Sequence, residues 1–222
     1  LRIMQGGEPV EVTADHLVST AGRRANTGGL GLEDIGVKTD ARGSIVTRDD
    51  MQTSVPGIYA AGDVTDRDQF VYMAAYGAKL AAKNAVLGDD QRYDNSAMPW
   101  VVFSDPQVAG VGLSEQQARD AGFDVKTSVV PLDQVPRALA ARDTRGLIKL
   151  VADKATDKLL GGQIIAPEGS DTIQTLVMAL KFGMTTKALG QTIFPYLTTV
   201  EGLKLAAQTF DMDVAKLSCC AG

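Results

Sequence analysis

The run Gly-Ile-Tyr-Ala-Ala over residues 57–61 limits most strongly what this chain can become. It follows Pro56 and stops at Gly62-Asp63. A short, continuously apolar run between turn residues predicts a strand covered on both faces. Residues 71–87 then form an Ala-rich stretch closed by Gly88-Asp89-Asp90. That composition predicts a long helix with a glycine stop. A buried strand that ends in Gly-Asp and feeds a helix can hold a nucleotide-like group. Gly62 lets backbone approach closely. Asp63 can accept a hydrogen bond from a sugar-like hydroxyl. The helix start near residues 70–72 offers N–H groups and the positive end of a dipole. The plainer alternative is that Gly-Asp only turns the chain, and on the residues alone that alternative is preferred.

Other segments supply the surroundings. Residues 2–4, 10–13 and 16–20 read as short extended runs separated by Gly6-Gly7 and Ala14-Asp15, the end of a β-meander. Residues 21–40 form a Gly-rich loop, and residues 44–46 a short strand. Residues 89–97 are polar and predict a linker at a domain boundary. Beyond it, residues 101–103 and 108–111 predict short strands. Ser114 with Gln117 three residues on makes a capping-box pattern, with Gly122 placed to end the helix. Strands are predicted at 125–131, 147–152 and 159–165, the last two joined as a hairpin through residues 153–158. Ile173, Leu176, Val177 and Leu180 share one helical face, in a helix ending at Gly183. Thr198 or Thr199 can cap a last helix running through Phe210. The pattern is α/β at first and α+β afterwards.

Composition removes several function classes. The chain has 222 residues and a net charge of −5, with no block of Lys or Arg, which argues against nucleic acid or an anionic membrane as partner. No apolar stretch reaches the roughly 18 residues of a membrane span; residues 74–86 are broken by Lys79 and Lys83. One histidine, His16, and two cysteines are too few for a conventional zinc site within this chain. Those two cysteines, Cys219 and Cys220, are adjacent near the end of the sequence. Neighbouring thiols can present two soft donors to one metal ion, and Lys216 favours the thiolate slightly. Two incidental thiols are the bland alternative, and adjacency weighs against it. Spacing alone names no metal.

Several motifs together resemble one family. Residues 58–63 resemble the second flavin motif of the pyridine nucleotide–disulfide oxidoreductases. Thr20-Ala-Gly-Arg-Arg-Ala-Asn-Thr27 is similar to that family's Ala-Thr-Gly-Arg-x-Pro-Asn segment, with Ala21 and Ala25 as departures. Residues 99–112 resemble the start of its interface domain. Residues 146–153 and 160–165 resemble the hairpin within it. The matches come in family order and span nearly the whole chain. The resemblance implies a partial FAD- and NAD(P)-binding, Rossmann-like three-layer segment followed by an α+β dimerisation domain. It places the end of the NADPH-binding domain at 1–20, the second half of the FAD-binding domain at 21–95 and the dimerisation domain at 96–222. It implies that Asp63 binds the FAD ribityl chain and that backbone near Val71 approaches the flavin ring. It also implies a cytoplasmic homodimer.

One segment discriminates within the family. Thiol–disulfide reductases of this family carry His-Pro-Thr-x-x-Glu; the matching residues are Tyr196-Leu-Thr-Thr-Val-Glu201. An imidazole takes a proton near neutral pH, whereas a phenol with a pKa of about 10 does not. Exchange with an organic dithiol is therefore disfavoured. Tyr196 together with the Cys-Cys-Ala-Gly tail resembles the family members that reduce Hg(II) to Hg(0) with NADPH. That implies Cys219 and Cys220 as entry ligands for Hg(II), Tyr196 as an aid to transfer, and an inner redox cysteine pair. The inner pair, the first Gly-rich FAD fingerprint and the NADPH-binding βαβ turn have no match in the 222 residues. Leu1 is accordingly expected to mark a break within the NADPH domain, with the chain alone inactive. The alternatives are a dimerising soft-metal-binding fragment without catalysis, and a thiol–disulfide reductase.

Overall fold

The computed structural model describes residues 1–213. The chain divides into two compact units, residues 1–93 and the residues from Asp94 onward.

The first unit opens on a hairpin of β1 (Arg2–Gln5) and β2 (Glu8–Glu11), with Arg2 opposite Glu11. Gly6 and Gly7, at φ 61° and 89°, make its two-residue turn. Positive φ at both central positions is the turn that suits strand twist. The expected extended run at 16–20 is not a strand. Leu17 and Val18 are exposed, and no other segment among the described residues pairs with them. Residues 44–46 make only an isolated bridge, Thr39 to Ile45.

The predicted buried strand at 57–61 is likewise corrected. Its only ladder contact is a bridge from Tyr59 to Gln52, and its residues are half-buried or exposed. Thr53 N–H donates to Ile58 O at 2.8 Å and Ala60 N–H to Met51 O at 3.1 Å, so the run folds back on the segment just before it. Apolar character selects burial, but a strand also needs a neighbour to complete its ladder. Here the described residues supply only residues 51–53.

The predicted helix is present as α1 (Val71–Leu87). Gly88 ends it at φ 69°, its N–H donating to Asn84 O. Met73, Gly77, Leu80, Ala81 and Asn84 form the buried face. Leu80 and Ala81 pack with Met51, flanked by Tyr59, Tyr76 and Tyr93. Asn84 uses its whole amide: Nδ2 donates to Asp50 O and Gln91 O, both at 2.9 Å, and Oδ1 accepts from Gln91 N–H at 2.8 Å.

The second unit is a five-stranded antiparallel sheet of β3 (Pro99–Val102), β4 (Gln107–Gly112), β5 (Val125–Pro131), β6 (Leu147–Asp153) and β7 (Leu159–Ala166), in spatial order β3-β4-β7-β6-β5. The strands expected from sequence agree with these, within two residues at each end. The β6–β7 hairpin closes through residues 154–158, where Asp153 accepts from Thr156 Oγ1 at 2.6 Å. Between β4 and β5 lies α2 (Glu115–Asp120), and the capping box is complete: Ser114 Oγ accepts from Gln117 N–H while Gln117 Oε1 accepts from Ser114 N–H.

Two six-residue helices were not foreseen, α3 (Pro136–Ala141) and α5 (Thr186–Gln191). They are too short to display a helical period. Their signals are Pro136 at the first position and Thr185, whose Oγ1 accepts from Ala188 N–H. The longer α4 (Gly169–Lys181) buries Ile173, Leu176 and Ala179 in one core with Ala109, Val111 and Ile164. Gly183 follows it at φ 61°. The last helix, α6 (Glu201–Gln208), ends two residues short of Phe210. It is fastened to β5 by Ser128, whose hydroxyl donates to Ala206 O at 2.6 Å and also meets Thr209 Oγ1.

Close approach to β7 sets the layer spacing. A Cβ on Gly161 would lie 2.1 Å from the Leu113 carbonyl oxygen, and one on Gly162 2.5 Å from Leu176 Cδ1. Backbone at Leu113 cannot step aside, because its N–H donates to Leu160 O at 2.9 Å. Gly161→Ala should therefore destabilise the protein by about 3 kcal/mol, at the upper end for overpacking. A urea-unfolding midpoint unchanged from wild type would contradict this.

Glu115 gives a second expectation. Its Oε2 accepts from Lys149 Nζ at 2.7 Å and its Oε1 from Arg119 Nη2 at 2.8 Å. Lys149 first and Arg119 second hold its carboxyl down at about 2. A depressed folded value stabilises the fold above the ordinary carboxylate pKa, 4.5, and that contribution is lost as pH falls toward about 2. Glu115→Gln should flatten the acid limb of the stability curve in that window. Carboxyl-carbon NMR should show Glu115 titrating near 2; a midpoint near 4.5 would refute the assignment.

Candidate functional site

Two loci carry the residues singled out from sequence, one in each unit. In the first unit, Gly62 sits at φ 81°, ψ −160°, a conformation closed to other residues without strain. A Cβ there would meet Ala74 Cβ of α1 at 3.2 Å. Gly62 thus lets the turn rest against the first turn of the helix. Asp63 begins a short 3-10 turn, Asp63–Thr65, and its side chain is exposed. Thr65 closes that turn, its N–H and Oγ1 donating to Gly62 O at 3.0 Å and 2.8 Å. Asp63 therefore projects from a turn held at both ends.

The start of α1 lies eight positions on. Phe70 is extended and no side chain caps the helix N-terminus. Val71 is exposed, and the Phe70 and Tyr72 rings stack with centroids 5.2 Å apart. Arg23, from the Gly-Arg-Arg motif, donates Nη1 to Gln69 O at 3.0 Å and so ties that loop to the approach of α1. The structure thus places the Arg23 loop against the segment leading to Val71.

A polar cluster beside this locus was missed. Tyr93 OH donates to Asp68 Oδ2 at 3.2 Å, and the Arg67 guanidinium lies 4.9 Å from the Tyr93 ring centroid. Burial first, and Asp68 second, push the Tyr93 phenol well above its usual 10. It therefore stays a donor at any physiological pH. The signal was a lone tyrosine in an otherwise polar linker.

In the second unit, Tyr196 stands exposed on the loop before α6. Glu201, the first residue of α6, is buried, at 3% exposure. Its Oε2 accepts from Leu197 N–H at 3.2 Å. Thr198 Oγ1 donates to Pro195 O at 2.9 Å and accepts from Glu201 N–H at 3.3 Å. The N-cap of α6 is Val200, without a side-chain cap bond, so neither threonine caps the helix as expected; Thr198 braces the loop before it, and Thr199 Oγ1 donates to Glu168 Oε2 at 2.6 Å. The structure brings Tyr196 and Glu201 into one closed loop, but joins them through backbone. Cys219 and Cys220 lie outside the described residues. Among the described residues, no group of three His, Cys, Asp or Glu is placed to hold a metal ion.

Two family models match this chain: the pyridine nucleotide-disulphide oxidoreductase model over residues 1–82, and the dimerisation-domain model of the same family over residues 98–207. The chain belongs to the pyridine nucleotide-disulphide oxidoreductase family. Its curated relatives include the mercuric reductase of Staphylococcus aureus, 49% identical over 216 residues, which are 97% of this chain and 40% of that protein. The mercuric reductase of Bacillus cereus is 50% identical over 211 residues, 95% of this chain and 33% of that protein. The chain spans 33–40% of the length of these two relatives. Among solved structures, the HOCl-induced flavoprotein disulfide reductase RclA from Escherichia coli superposes with a TM-score of 0.81 at 28% identity, over 93% of this chain and 47% of that one. The mixed α/β fold is thus that of the flavoprotein disulfide reductases.

The Gly62 geometry is open to test. Gly62→Ala should cost about 1–3 kcal/mol through the forced positive φ. Gly28→Ala, which enters open space, should stay within about 0.5 kcal/mol of wild type. Equal unfolding midpoints for the two variants would contradict the tight turn.

Proposed function

We propose that this chain is part of a flavoenzyme that reduces Hg(II) to Hg(0) with NADPH. One observation carries the reading: relatives named mercuric reductase match at 49–50% identity over 95–97% of the chain. Residues 1–20 then end the NADPH-binding domain, 21–95 form the second half of the FAD-binding domain, and 96–222 form a dimerisation domain. The working form is a homodimer in the cytoplasm. The net charge of −5 supports a protein without nucleic-acid partners. No helix among the described residues is long and apolar enough to cross a membrane.

The first unit fits an FAD. At Gly62 the turn comes close to α1, where a Cβ would lie 3.2 Å from Ala74 Cβ. Asp63 offers an exposed carboxylate suited to ribityl hydroxyls, and backbone at Val71 belongs to a helix start with no side-chain cap. An electron-rich ring edge is a suitable partner for that positive end. When bound, the flavin supplies a two-electron path between NADPH and the metal, with the balance NADPH + Hg(II) → NADP⁺ + H⁺ + Hg(0).

The chain's own residues do the remaining work. Cys219 and Cys220 capture Hg(II) as thiolates and hand it on by ligand exchange to an inner cysteine pair that this chain does not contain. Soft thiolates keep the ion bound at every stage. Tyr196 donates a hydrogen bond from its phenol O–H to a thiolate, or touches the metal, during that transfer. Tyrosine here, where the family's thiol–disulfide reductases carry a histidine, separates this chain from reductases of organic disulfides.

The test uses a full-length enzyme containing this chain. Hg(II)-dependent NADPH oxidation with release of volatile Hg(0) is expected. Cys219→Ala with Cys220→Ala should weaken Hg(II) binding at least about tenfold in a thiol-competition titration, the loss of a soft two-donor site. Absence of Hg(II)-dependent NADPH oxidation would overturn the activity; unchanged affinity would overturn the entry-ligand role.

A further inference from the structure

Glu201 is a carboxylate buried at the start of α6. It has no imidazole to serve, since position 196 is tyrosine. Yet one of its oxygens is committed: Oε2 accepts from Leu197 N–H at 3.2 Å. Leu197 is at φ 62°, in the left-handed region that a γ-branched residue rarely adopts. Such a conformation persists only where its surroundings over-determine it. Three bonds surround it. Besides the Glu201 contact, Thr198 Oγ1 donates to Pro195 O at 2.9 Å and accepts from Glu201 N–H at 3.3 Å. Next to Glu201, a Cβ on Gly202 would meet Ile148 Cδ1 at 2.6 Å, so the start of α6 is pressed against β6. Glu201 is thereby anchored to the sheet, and Leu197 to Glu201.

We propose that Glu201 is a positioning residue for Tyr196. Its carboxylate, acting as a fixed acceptor, holds residue 197 left-handed and so sets the direction in which the Tyr196 ring leaves the loop. The proposal rests on the reading that Tyr196 takes part in Hg(II) transfer. It requires acceptor reach at position 201, not negative charge. Glutamine keeps the reach and loses the charge; aspartate keeps the charge and loses one methylene of reach.

The experiment compares Glu201→Gln and Glu201→Asp in the full-length enzyme. Glu201→Gln should keep kcat/KM for Hg(II)–thiol complexes within about threefold of wild type. Glu201→Asp should lower it about tenfold or more, mainly through kcat, as a misplaced group does. A fluorotyrosine at position 196 gives a ¹⁹F signal independent of turnover. That signal should match wild type in Glu201→Gln, and shift or broaden in Glu201→Asp. A Gln variant as impaired as the Asp variant, a fully active Asp variant, or a ¹⁹F signal unmoved in both would overturn the proposal. A wild-type enzyme without Hg(II) turnover would instead sink the functional reading, and the ¹⁹F comparison would still decide the positioning role.

Discussion

Everything in the second unit depends on how closely other elements come to the middle strand, β7. Two adjacent glycines, Gly161 and Gly162, remove the side chains that would hold neighbours away. The Leu113 backbone closes on one of them and Leu176 of α4 on the other. Because α4 lies this close, Ile173, Leu176 and Ala179 join the core lined by Ala109, Val111 and Ile164. On the same sheet, α6 is held by Ser128 and by the close contact of Gly202 with Ile148. The loop that bears Tyr196 thus inherits its position from a chain of short approaches that begins at β7. Hydrophobic burial drives the assembly, but glycine placement decides which distances it can reach.

The first unit works differently. Its large buried hydrophobics are few: Val37, Ile45, Met51, Met73 and Leu80. Polar connections carry more of its organisation. Thr27 Oγ1 donates to Gly43 O at 2.6 Å, Ser54 Oγ donates to Gly36 O at 3.1 Å, and Arg67 reaches Thr47 and Asp49. Directional bonds of this kind fix loop geometry well, while each adds only about 1 kcal/mol net. A turn that must present Asp63 at a defined angle is well served by such a scaffold.

What the sequence disclosed follows from the kind of signal each element carries. The β6–β7 hairpin is marked by its polar turn at residues 153–158, and α1 ends at a glycine, so both were legible from a few neighbouring residues. The Ser114–Gln117 capping box was equally local. Residues 57–61 misled because apolarity specifies burial without specifying a partner strand, and the described residues give them only Gln52. The short α3 and α5 have too few turns to show a period. At the site, Tyr196 and Glu201 were visible as a departure from a pattern. Their connection was not, because it runs through the Leu197 N–H, and a backbone donor leaves no mark on the amino-acid string.

Asn84 has a consequence for how the first unit lets go of the chain. Its single amide ties the last turn of α1, the loop at Asp50 and the segment at Gln91 into one knot. No other side chain of that length offers two donors and an acceptor together: aspartate lacks the donors, leucine lacks all three. The end of α1 therefore cannot fray by itself, because loosening it also strips partners from two distant stretches of backbone. Two residues beyond Gln91, Tyr93 is seated by Asp68 and Arg67. The first unit thus ends at a fastened point, Tyr93, rather than at a free helix end.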